Sequence, residues 1–121
     1  MNAPNAVVAI VDDEESIRRA LGRLIRSAGY EGQLFAYGTD FLASMPIPGL
    51  RCVVLDMHMP GMSGLEVQIE MAKSWPHLPI IFITGHEDPE AQRRVLATRP
   101  LAFLHKPIDS SYLLGAIGSL K

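Results

Sequence analysis

Residues 52–64 read CVVLDMHMPGMSG, a short apolar run that ends on an acidic residue and continues into a turn-rich loop. The run Cys52–Leu55 has no polar interruption, which is typical of a strand that is covered on both faces of a parallel sheet. Asp56 closes the run, and the loop that follows contains a proline and a glycine. Ser63, with Glu66 three residues later, has the pattern of a capping box. The stretch therefore predicts a strand, a loop and a helix, with a carboxylate where the strand ends.

The same unit recurs along the whole chain. The other predicted strands are Val7–Val11, Leu34–Ala36, Pro79–Thr84 and Leu101–His105. The first predicted helix is Glu15–Ala28, with Gly29 as its stop, and the second is a short helix capped by Thr39 that runs to Met45. The third runs from Ser63 to near Trp75–Pro76, and the fourth has Asp88 as N-cap and Pro89 at its first position. A closing helix is capped by Asp109 or Ser110. Five strand–helix repeats predict an α/β fold of the (βα)5 type, a doubly wound, five-stranded parallel sheet with helices on both faces.

Size and composition restrict the class of protein. A chain of 121 residues suits one domain, so we predict a single domain over 1–121 with a structured core from about 7 to 120. Hydrophobic residues make up 48% and the net charge is −2, which favours a packed core and no direct binding of nucleic acid. The sequence shows no signal-peptide pattern and no long apolar run, so we expect a cytoplasmic protein with no membrane segment. The single cysteine, Cys52, is expected to be a buried core residue.

Polar side chains stand where the predicted strands end. They are Asp12 and Asp13 after the first strand, Asp56 after the third, Thr84 after the fourth and Lys106 after the fifth. In open parallel sheets the functional crevice lies beyond the carboxyl ends of the strands, so these side chains are expected to meet. Clustered carboxylates repel one another, and a hard divalent cation with oxygen ligands offsets that repulsion. The set therefore predicts a magnesium site.

A carboxylate can also act as a nucleophile toward phosphorus. The acyl phosphate that results needs a cation, an ammonium and a hydroxyl around its oxygens, and this set supplies the last two in Lys106 and Thr84. Asp56 is central in strand order, which favours it as the nucleophile. Taken singly, each residue has a simpler interpretation: Asp12 and Asp13 as a helix cap, Thr84 as a turn residue and Lys106 as a solvated charge. Their joint appearance at successive strand ends favours a functional site.

Four motifs give the chain a resemblance to a known family. They are IVDDEE over 10–15, LDMHMPGMSG over 55–64, ITGH over 83–86 and FLHKP over 103–107. With them the chain resembles the response-regulator receiver family, the CheY-like domains of bacterial two-component signalling, from about Val7 to about Leu120. We accordingly predict the flavodoxin-like strand order 2-1-3-4-5. The implied function is that of a phosphorylation-activated receiver domain of a two-component phosphorelay.

The resemblance implies a role for each residue of the acidic set. Asp56 would be the phosphoacceptor, and its phosphorylation would depend on magnesium. Asp13 and Asp56 would ligate the metal directly, and Asp12 would contribute mostly through water. The backbone carbonyl of His58 would complete the protein ligands.

The resemblance also implies how the signal leaves the site. Thr84 would hydrogen-bond the phosphoryl group, Gly85 would keep the adjoining loop small, and Lys106 would pair with the phosphoryl oxygens next to a cis bond to Pro107. Once Thr84 is drawn inward, Phe103 would rotate toward the interior as an aromatic switch. The surface formed by the fourth helix, the fifth strand and the fifth helix would then change shape.

The implied phosphodonor is a sensor histidine kinase or a histidine phosphotransfer protein, and the implied recipient is a downstream output domain or protein. Transcriptional control through a helix-turn-helix output domain is expected only of a longer parent chain. A homodimer through the surface of the fourth helix, fifth strand and fifth helix stays open as an alternative. The chain is expected to be a signalling switch and not an enzyme, although it would catalyse its own phosphoryl transfer and autodephosphorylation.

Two features of the sequence modify this expectation. Thr98-Arg99-Pro100 stands where receivers commonly carry a small turn of the Ala-Gly-Ala kind, which affects the end of the fourth helix. His58 and His86 stand at positions that tune autodephosphorylation in the family, so we hypothesise that their rings alter the access of water. The alternative is a pair of exposed loop histidines.

Two other functions stay open. One is a receiver-like interaction module that is not phosphorylated, although the chain keeps the nucleophile, its acidic partners and the lysine. The other is an aspartyl-phosphate phosphohydrolase of the haloacid dehalogenase kind. That class carries Asp-x-Asp-x-Thr directly after its first strand, whereas residues 12–15 read DDEE.

Overall fold

The structure, a computed structural model, describes residues 6–120. Within that range the chain alternates strictly between strands and helices, which are β1 (Val7–Val11), α1 (Glu15–Ser27), β2 (Glu31–Phe35), α2 (Gly38–Ser44), β3 (Leu50–Asp56), α3 (Gly64–Ala72), β4 (Ile80–Thr84), α4 (Pro89–Leu96), β5 (Ala102–His105) and α5 (Ser110–Gly118). The strands form one parallel sheet in the order β2-β1-β3-β4-β5. The predicted (βα)5 doubly wound sheet with flavodoxin-like strand order is confirmed. Residues 1–5 and 121 of the predicted domain lie outside the described residues, and the span 1–121 stays a prediction.

The core has two layers because alternate residues of a strand point to opposite faces of the sheet. Strands β1 and β4 are buried along their whole length. On one face, Val8 and Ile10 of β1 belong to the hydrophobic cluster that packs under α1 and α5. On the other face, Ala9 and Val11 belong to the cluster that packs under α2, α3 and α4. Within the described part of the chain, every helix is too short or too polar to cross a bilayer.

Cys52 lies in β3 and has no exposed surface, as expected of a core thiol. Burial raises the pKa of the Cys52 thiol to about 12. The side chain is therefore uncharged and behaves as a small apolar residue.

The edge strand β2 differs from the prediction. It spans Glu31–Phe35, whereas the sequence pattern placed a strand at Leu34–Ala36. Its first residues pair with β1, with Val7 opposite Glu31. An edge strand needs no continuous apolar run because it borders only one neighbour, so backbone pairing and not hydrophobicity sets where β2 begins.

Several helix ends follow the predicted signals. Ser63 and Glu66 form the predicted capping box, in which the Glu66 N–H donates to Ser63 Oγ at 3.2 Å and the Ser63 N–H donates to Glu66 Oε1 at 2.9 Å. Asp88 caps α4 by accepting from the Ala91 N–H, and Asp109 caps α5 by accepting from the Tyr112 N–H. The stop at Gly29 is also found, with a φ of 92°.

Other ends depart from the prediction. The predicted cap at Thr39 is wrong, since α2 begins at Gly38 after Tyr37, which makes no side-chain cap bond. Helix α3 ends at Ala72 and not near Trp75, whose N–H still reaches back to the Met71 carbonyl at 2.8 Å. In the unusual turn before β5, Arg99 has a φ of 56°, the left-handed region that glycine adopts at little cost.

Candidate functional site

The register of the sheet brings the strand ends to one edge. Val11 lies opposite Leu55 in the β1–β3 pair, so Asp12 directly follows β1 beside Asp56, the last residue of β3. One carboxylate oxygen from each of Asp12, Asp13 and Asp56 lies within 4.8 Å of the other two. Asp12 and Asp56 are buried, whereas Asp13 is exposed and opens the cluster to solvent. The three carboxylates predicted at the carboxyl edge therefore meet in one cleft.

Lys106 enters the same cleft from the end of β5, which lies on the opposite side of β3 from β1 in the strand order. Its backbone N–H donates to the Thr84 carbonyl at 2.8 Å, which extends the β4–β5 pairing by one residue. Its Nζ atom lies 3.0 Å from Asp12 Oδ2 and 3.6 Å from Asp56 Oδ2. The same Nζ atom donates a hydrogen bond of 2.8 Å to Glu14 Oε1. The bond from Lys106 to Pro107 is cis, as the resemblance implies.

The acidic cluster fits a divalent cation. Asp12 Oδ2 is buried and has no hydrogen-bond partner of acceptable geometry among the described residues, although the Lys106 ammonium lies at ion-pair distance. The other oxygen, Oδ1, accepts from the Glu14 N–H at 2.9 Å. Three carboxylates facing a single ammonium leave an excess of negative charge, and oxygen-only ligands of this kind suit magnesium.

The charges in the cleft shift one another's protonation. Burial, and then the charge of Asp12, raises the pKa of Asp56 to about 7, against the opposing effect of Lys106. The hydrogen bond from Lys106 is the main cause that lowers the pKa of Glu14. Burial alone would lower the pKa of Lys106, but the nearby carboxylates of Glu14, Asp12 and Asp56 outweigh burial and raise it. Lys106 is therefore a fixed positive charge, whereas the ionised form of Asp56 is disfavoured by its surroundings.

The loop after β3 closes tightly around Asp56. The His58 N–H points to Asp56 Oδ1 at 3.4 Å, and the Gly64 N–H donates to the Met57 carbonyl at 2.9 Å. A Cβ atom on Gly64 would overlap the carbonyl oxygen of Asp56. Helix α3 thus begins against the backbone of the strand end, which is possible only because residue 64 has no side chain.

Thr84 is buried at the end of β4 and its hydroxyl is engaged in the turn that follows. Thr84 Oγ1 accepts from the His86 N–H at 3.1 Å and lies 3.3 Å from the His86 carbonyl oxygen. In this conformation the Thr84 hydroxyl therefore stabilises the local turn, as expected if Thr84 is a turn residue. A Cβ atom on Gly85 would lie 3.4 Å from Lys106 Cδ, so residue 85 borders the lysine side chain.

His58 and His86 contact each other at the rim of the cleft. Their ring centroids are 4.8 Å apart with an interplanar angle of 73°, an edge-to-face arrangement. His58 Nε2 lies 3.9 Å from Asp88 Oδ2. No sequence pattern predicts that the two rings touch, and Asp88 is indicated only as a helix cap.

Phe103 is half-buried in β5 and packs against the cluster under α2, α3 and α4. Its ring lies edge-on to His105, with centroids 5.3 Å apart.

Glu14 was not predicted as a residue of the site, although it lies within the IVDDEE motif. The only signal was its place directly after Asp12 and Asp13, since its contact with Lys106 joins positions 92 apart in the chain.

Comparison with known proteins agrees with this architecture. The family model described as the response regulator receiver domain matches residues 8–118. Nodulation protein W of Bradyrhizobium diazoefficiens is 41% identical over 112 residues, which cover 93% of this chain and 49% of that protein. Response regulator protein TmoT of Ectopseudomonas mendocina is 38% identical over 117 residues, which cover 97% of this chain and 53% of that protein. The chain thus spans about half the length of these curated relatives.

Among solved structures, a response regulator receiver protein from Pseudomonas putida superimposes with a TM-score of 0.89 at 26% sequence identity. The match covers 98% of this chain and 99% of the other. The fold is therefore shared over nearly the full length of both chains.

Proposed function

This chain belongs to the response regulator receiver family, and on that premise we propose that it is a phosphorylation-activated switch of a two-component phosphorelay, with Asp56 as the phosphoacceptor. The observation that carries the proposal is the meeting of three carboxylates within 4.8 Å of one another with the Lys106 ammonium 3.6 Å from Asp56 Oδ2. A nucleophilic carboxylate with a positive partner beside it is the arrangement that phosphoryl transfer requires.

The residues that would hold magnesium are the carboxylates of Asp12, Asp13 and Asp56, with the backbone carbonyl of His58. When bound, the ion would offset the carboxylate charge and stabilise charge on the phosphoryl oxygens. The buried oxygen of Asp12 that has no hydrogen-bond partner within residues 6–120 supports this assignment. We propose that Asp13, which is exposed, forms the solvent side of the site.

In the transfer step, a carboxylate oxygen of Asp56 forms a bond to phosphorus while the bond from phosphorus to the donor breaks. The electron pair of the broken bond stays on the donor, which is the imidazole nitrogen of a phosphohistidine. Lys106 neutralises charge on the phosphoryl oxygens from its place 3.6 Å away from Asp56. Gly85, which has no side chain beside Lys106, leaves room for the phosphoryl group.

The output step requires Thr84 to exchange partners. Its hydroxyl would leave His86 and donate to the phosphoryl group, which draws the end of β4 inward. Phe103, half-buried at the neighbouring strand, would then turn toward the core and change the surface of α4, β5 and α5. A shift of a two-state equilibrium from 1:99 to 99:1 takes about 5.5 kcal/mol. A few charge-assisted hydrogen bonds of about 1.5–3 kcal/mol each supply that much.

We further propose that the phosphoryl group comes from a sensor histidine kinase or a histidine phosphotransfer protein, and that the switched surface acts on an output domain or protein. The relative TmoT carries the name of a response regulator protein and is about twice as long as the matched region, which supports this assignment. A homodimer through α4, β5 and α5 is a second use of the same surface.

The test is phosphorylation by acetyl phosphate with and without magnesium. Wild type is expected to incorporate one phosphoryl group only when the metal is present, and Asp56→Asn is expected to incorporate none. Asp40→Asn, which removes an exposed carboxylate on α2, is the matched control and should behave as wild type. Incorporation that persists in Asp56→Asn would contradict the assignment, and no incorporation into wild type would favour the interaction module that is not phosphorylated.

We propose that His58 and His86 set the lifetime of the phosphoryl group. Their rings pack against each other at the rim of the cleft, where the attacking water would have to pass. His58→Asn removes the ring contact, so the phosphoryl half-life is expected to shorten about threefold, a barrier change of under about 1 kcal/mol. The half-life is measured by loss of label after removal of the donor, with the exposed and remote His77→Asn as control. Equal half-lives for all three proteins would retire the proposal.

A further inference from the structure

The Lys106 ammonium is shared unequally among three carboxylates. Its hydrogen bond goes to Glu14 Oε1 at 2.8 Å, whereas Asp12 Oδ2 and Asp56 Oδ2 lie at ion-pair distances of 3.0 Å and 3.6 Å. The lysine side chain is only 11% exposed, so it has little access to water as a partner. Glu14, by contrast, is 55% exposed and lies at the mouth of the cleft. The shortest contact of the lysine is thus with the carboxylate that is not part of the acidic cluster.

The local structure leaves the Glu14 carboxylate free for this contact. Glu14 is the N-cap residue of α1, but its side chain makes no cap hydrogen bond. Its backbone N–H is held by Asp12 Oδ1 at 2.9 Å, which fixes the residue beside the acidic cluster. The adjacent Glu15 pairs instead with Arg19 at 2.8 Å. Two neighbouring glutamates therefore have the same charge but different partners.

From this geometry we propose that Glu14 is a positioning residue that holds the Lys106 ammonium at the mouth of the cleft and competes for it with a phosphoryl group on Asp56. The proposal rests on the proposed function, since it concerns the same lysine. In this proposal, a phosphoryl oxygen on Asp56 draws the Lys106 ammonium away from Glu14 and toward the interior of the cleft. The Glu14 contact therefore stabilises the unphosphorylated state relative to the phosphorylated one.

The test uses beryllofluoride, a non-covalent mimic of the phosphoryl group, at saturating magnesium determined separately for each variant. Its dissociation constant is measured from the backbone amide shifts of Gly85 and His86. Glu14→Gln is expected to bind beryllofluoride about threefold more tightly, the size of the effect of a partly exposed ion pair. Glu15→Gln removes the same charge one residue away without a contact to Lys106, and it is expected to change the constant by less than about half as much.

Glu14→Asp separates contact from charge. An aspartate keeps the negative charge but is one methylene shorter, and at an N-cap position it hydrogen-bonds the first turn of the helix. It is therefore expected to release Lys106 and to bind beryllofluoride as tightly as Glu14→Gln does. If the Lys106 resonance shows that Glu14→Asp has released the lysine, but this variant still matches wild type while Glu14→Gln binds more tightly, the effect is one of overall charge and the proposal is overturned.

A second readout needs neither metal nor beryllofluoride. In the metal-free protein the Lys106 ammonium nitrogen resonance is expected to move in Glu14→Gln and Glu14→Asp, and to stay in place in Glu15→Gln.

In a Lys106→Gln background, Glu14→Gln is expected to lose its effect on beryllofluoride binding, because the interaction runs through the lysine. An effect that persists in that background overturns the proposal. Wild type that binds no beryllofluoride contradicts the proposed function itself, whereas wild type that binds it as tightly as Glu14→Gln contradicts only the role of Glu14.

Discussion

The carboxyl group of Asp56 is buried in the cleft, where its ionised form is energetically unfavourable and its oxygens are poorly solvated. It is 2% exposed and faces the carboxylate of Asp12, yet Lys106 lies close enough to favour the ionised form. Burial and Asp12 prevail in the absence of a cation and raise the pKa of Asp56 to about 7. The side chain is thus less tightly solvated than an exposed aspartate, which favours it as a nucleophile.

This environment predicts a pH-dependent effect of Asp56→Asn. The folded state keeps a proton on Asp56 up to about pH 7, whereas the unfolded chain releases it near the ordinary value of 3.8. The free energy of unfolding of wild type should therefore fall as the pH rises between those two values. In chelator, Asp56→Asn is expected to be more stable than wild type at pH 8 by on the order of 2 kcal/mol, and by much less at pH 4. Urea unfolding at the two pH values measures the difference, with Asp40→Asn as control, and equal stability of wild type and Asp56→Asn at pH 8 would contradict the prediction.

At the scale of elements, the junctions between strands and helices decide how the site is held. Helix α3 starts against the end of β3, with the Gly64 N–H bonded to the Met57 carbonyl. Strand β5 follows a turn in which Arg99 has left-handed backbone angles. Each junction can be tested by one substitution and one matched substitution elsewhere.

Gly64→Ala is expected to destabilise the protein by about 1–3 kcal/mol, because the new Cβ atom would meet only backbone atoms of Asp56 and Met57, which cannot rotate away. Phosphorylation of Asp56 should slow as well, since its backbone must shift. Gly115→Ala in α5 is the control. A Cβ atom there would have no neighbour within 4 Å in the described part of the chain, so this substitution should stabilise the protein by about 0.5–1 kcal/mol. Urea unfolding compares the two, and equal effects would contradict the account of Gly64.

Arg99→Gly is expected to stabilise the protein by up to about 1 kcal/mol, because glycine adopts a φ of 56° without the steric cost that arginine bears. The matched control is Arg94→Gly within α4, where glycine should destabilise by about 1 kcal/mol. Thermal unfolding of both variants provides the comparison. A lower melting temperature for Arg99→Gly would show that the arginine side chain contributes more than its backbone conformation costs.

At the scale of the whole molecule, the strand order brings residues that are distant in sequence together in one site. The sequence alone predicted this edge, because apolar runs marked β1, β3 and β4 and the parallel arrangement fixed where their carboxyl ends lie. The start of β2 was not predictable from hydrophobicity, since Glu31 and Gly32 pair through their backbone with β1. The contact between Glu14 and Lys106 was not predictable either, because an ion pair between positions so far apart depends on side-chain directions that only the packed sheet defines. Likewise, the hydrogen bond between Thr84 and His86 depends on the local turn.

Magnesium is expected to stabilise the folded protein as a whole. A ligand that binds only the folded state adds about 2.7 kcal/mol when its concentration is 100 times its dissociation constant. Wild type should therefore unfold at higher urea concentration in magnesium than in chelator. Asp13→Asn, which removes an oxygen from the acidic cluster, should lose most of that gain, and Asp40→Asn should keep it. A gain of equal size in all three proteins would indicate that the ion acts elsewhere.

Cys52 gives this molecule an intrinsic chemical reporter. It is the single cysteine of the chain, it has no exposed surface, and its raised pKa keeps it in the unreactive thiol form. An alkylating reagent can reach the sulfur only when the sheet around β3 opens, so the rate of labelling follows the population of opened molecules. Ligands that tighten the carboxyl edge of the sheet would thus be read out as slower alkylation at its interior, without any added dye or tag.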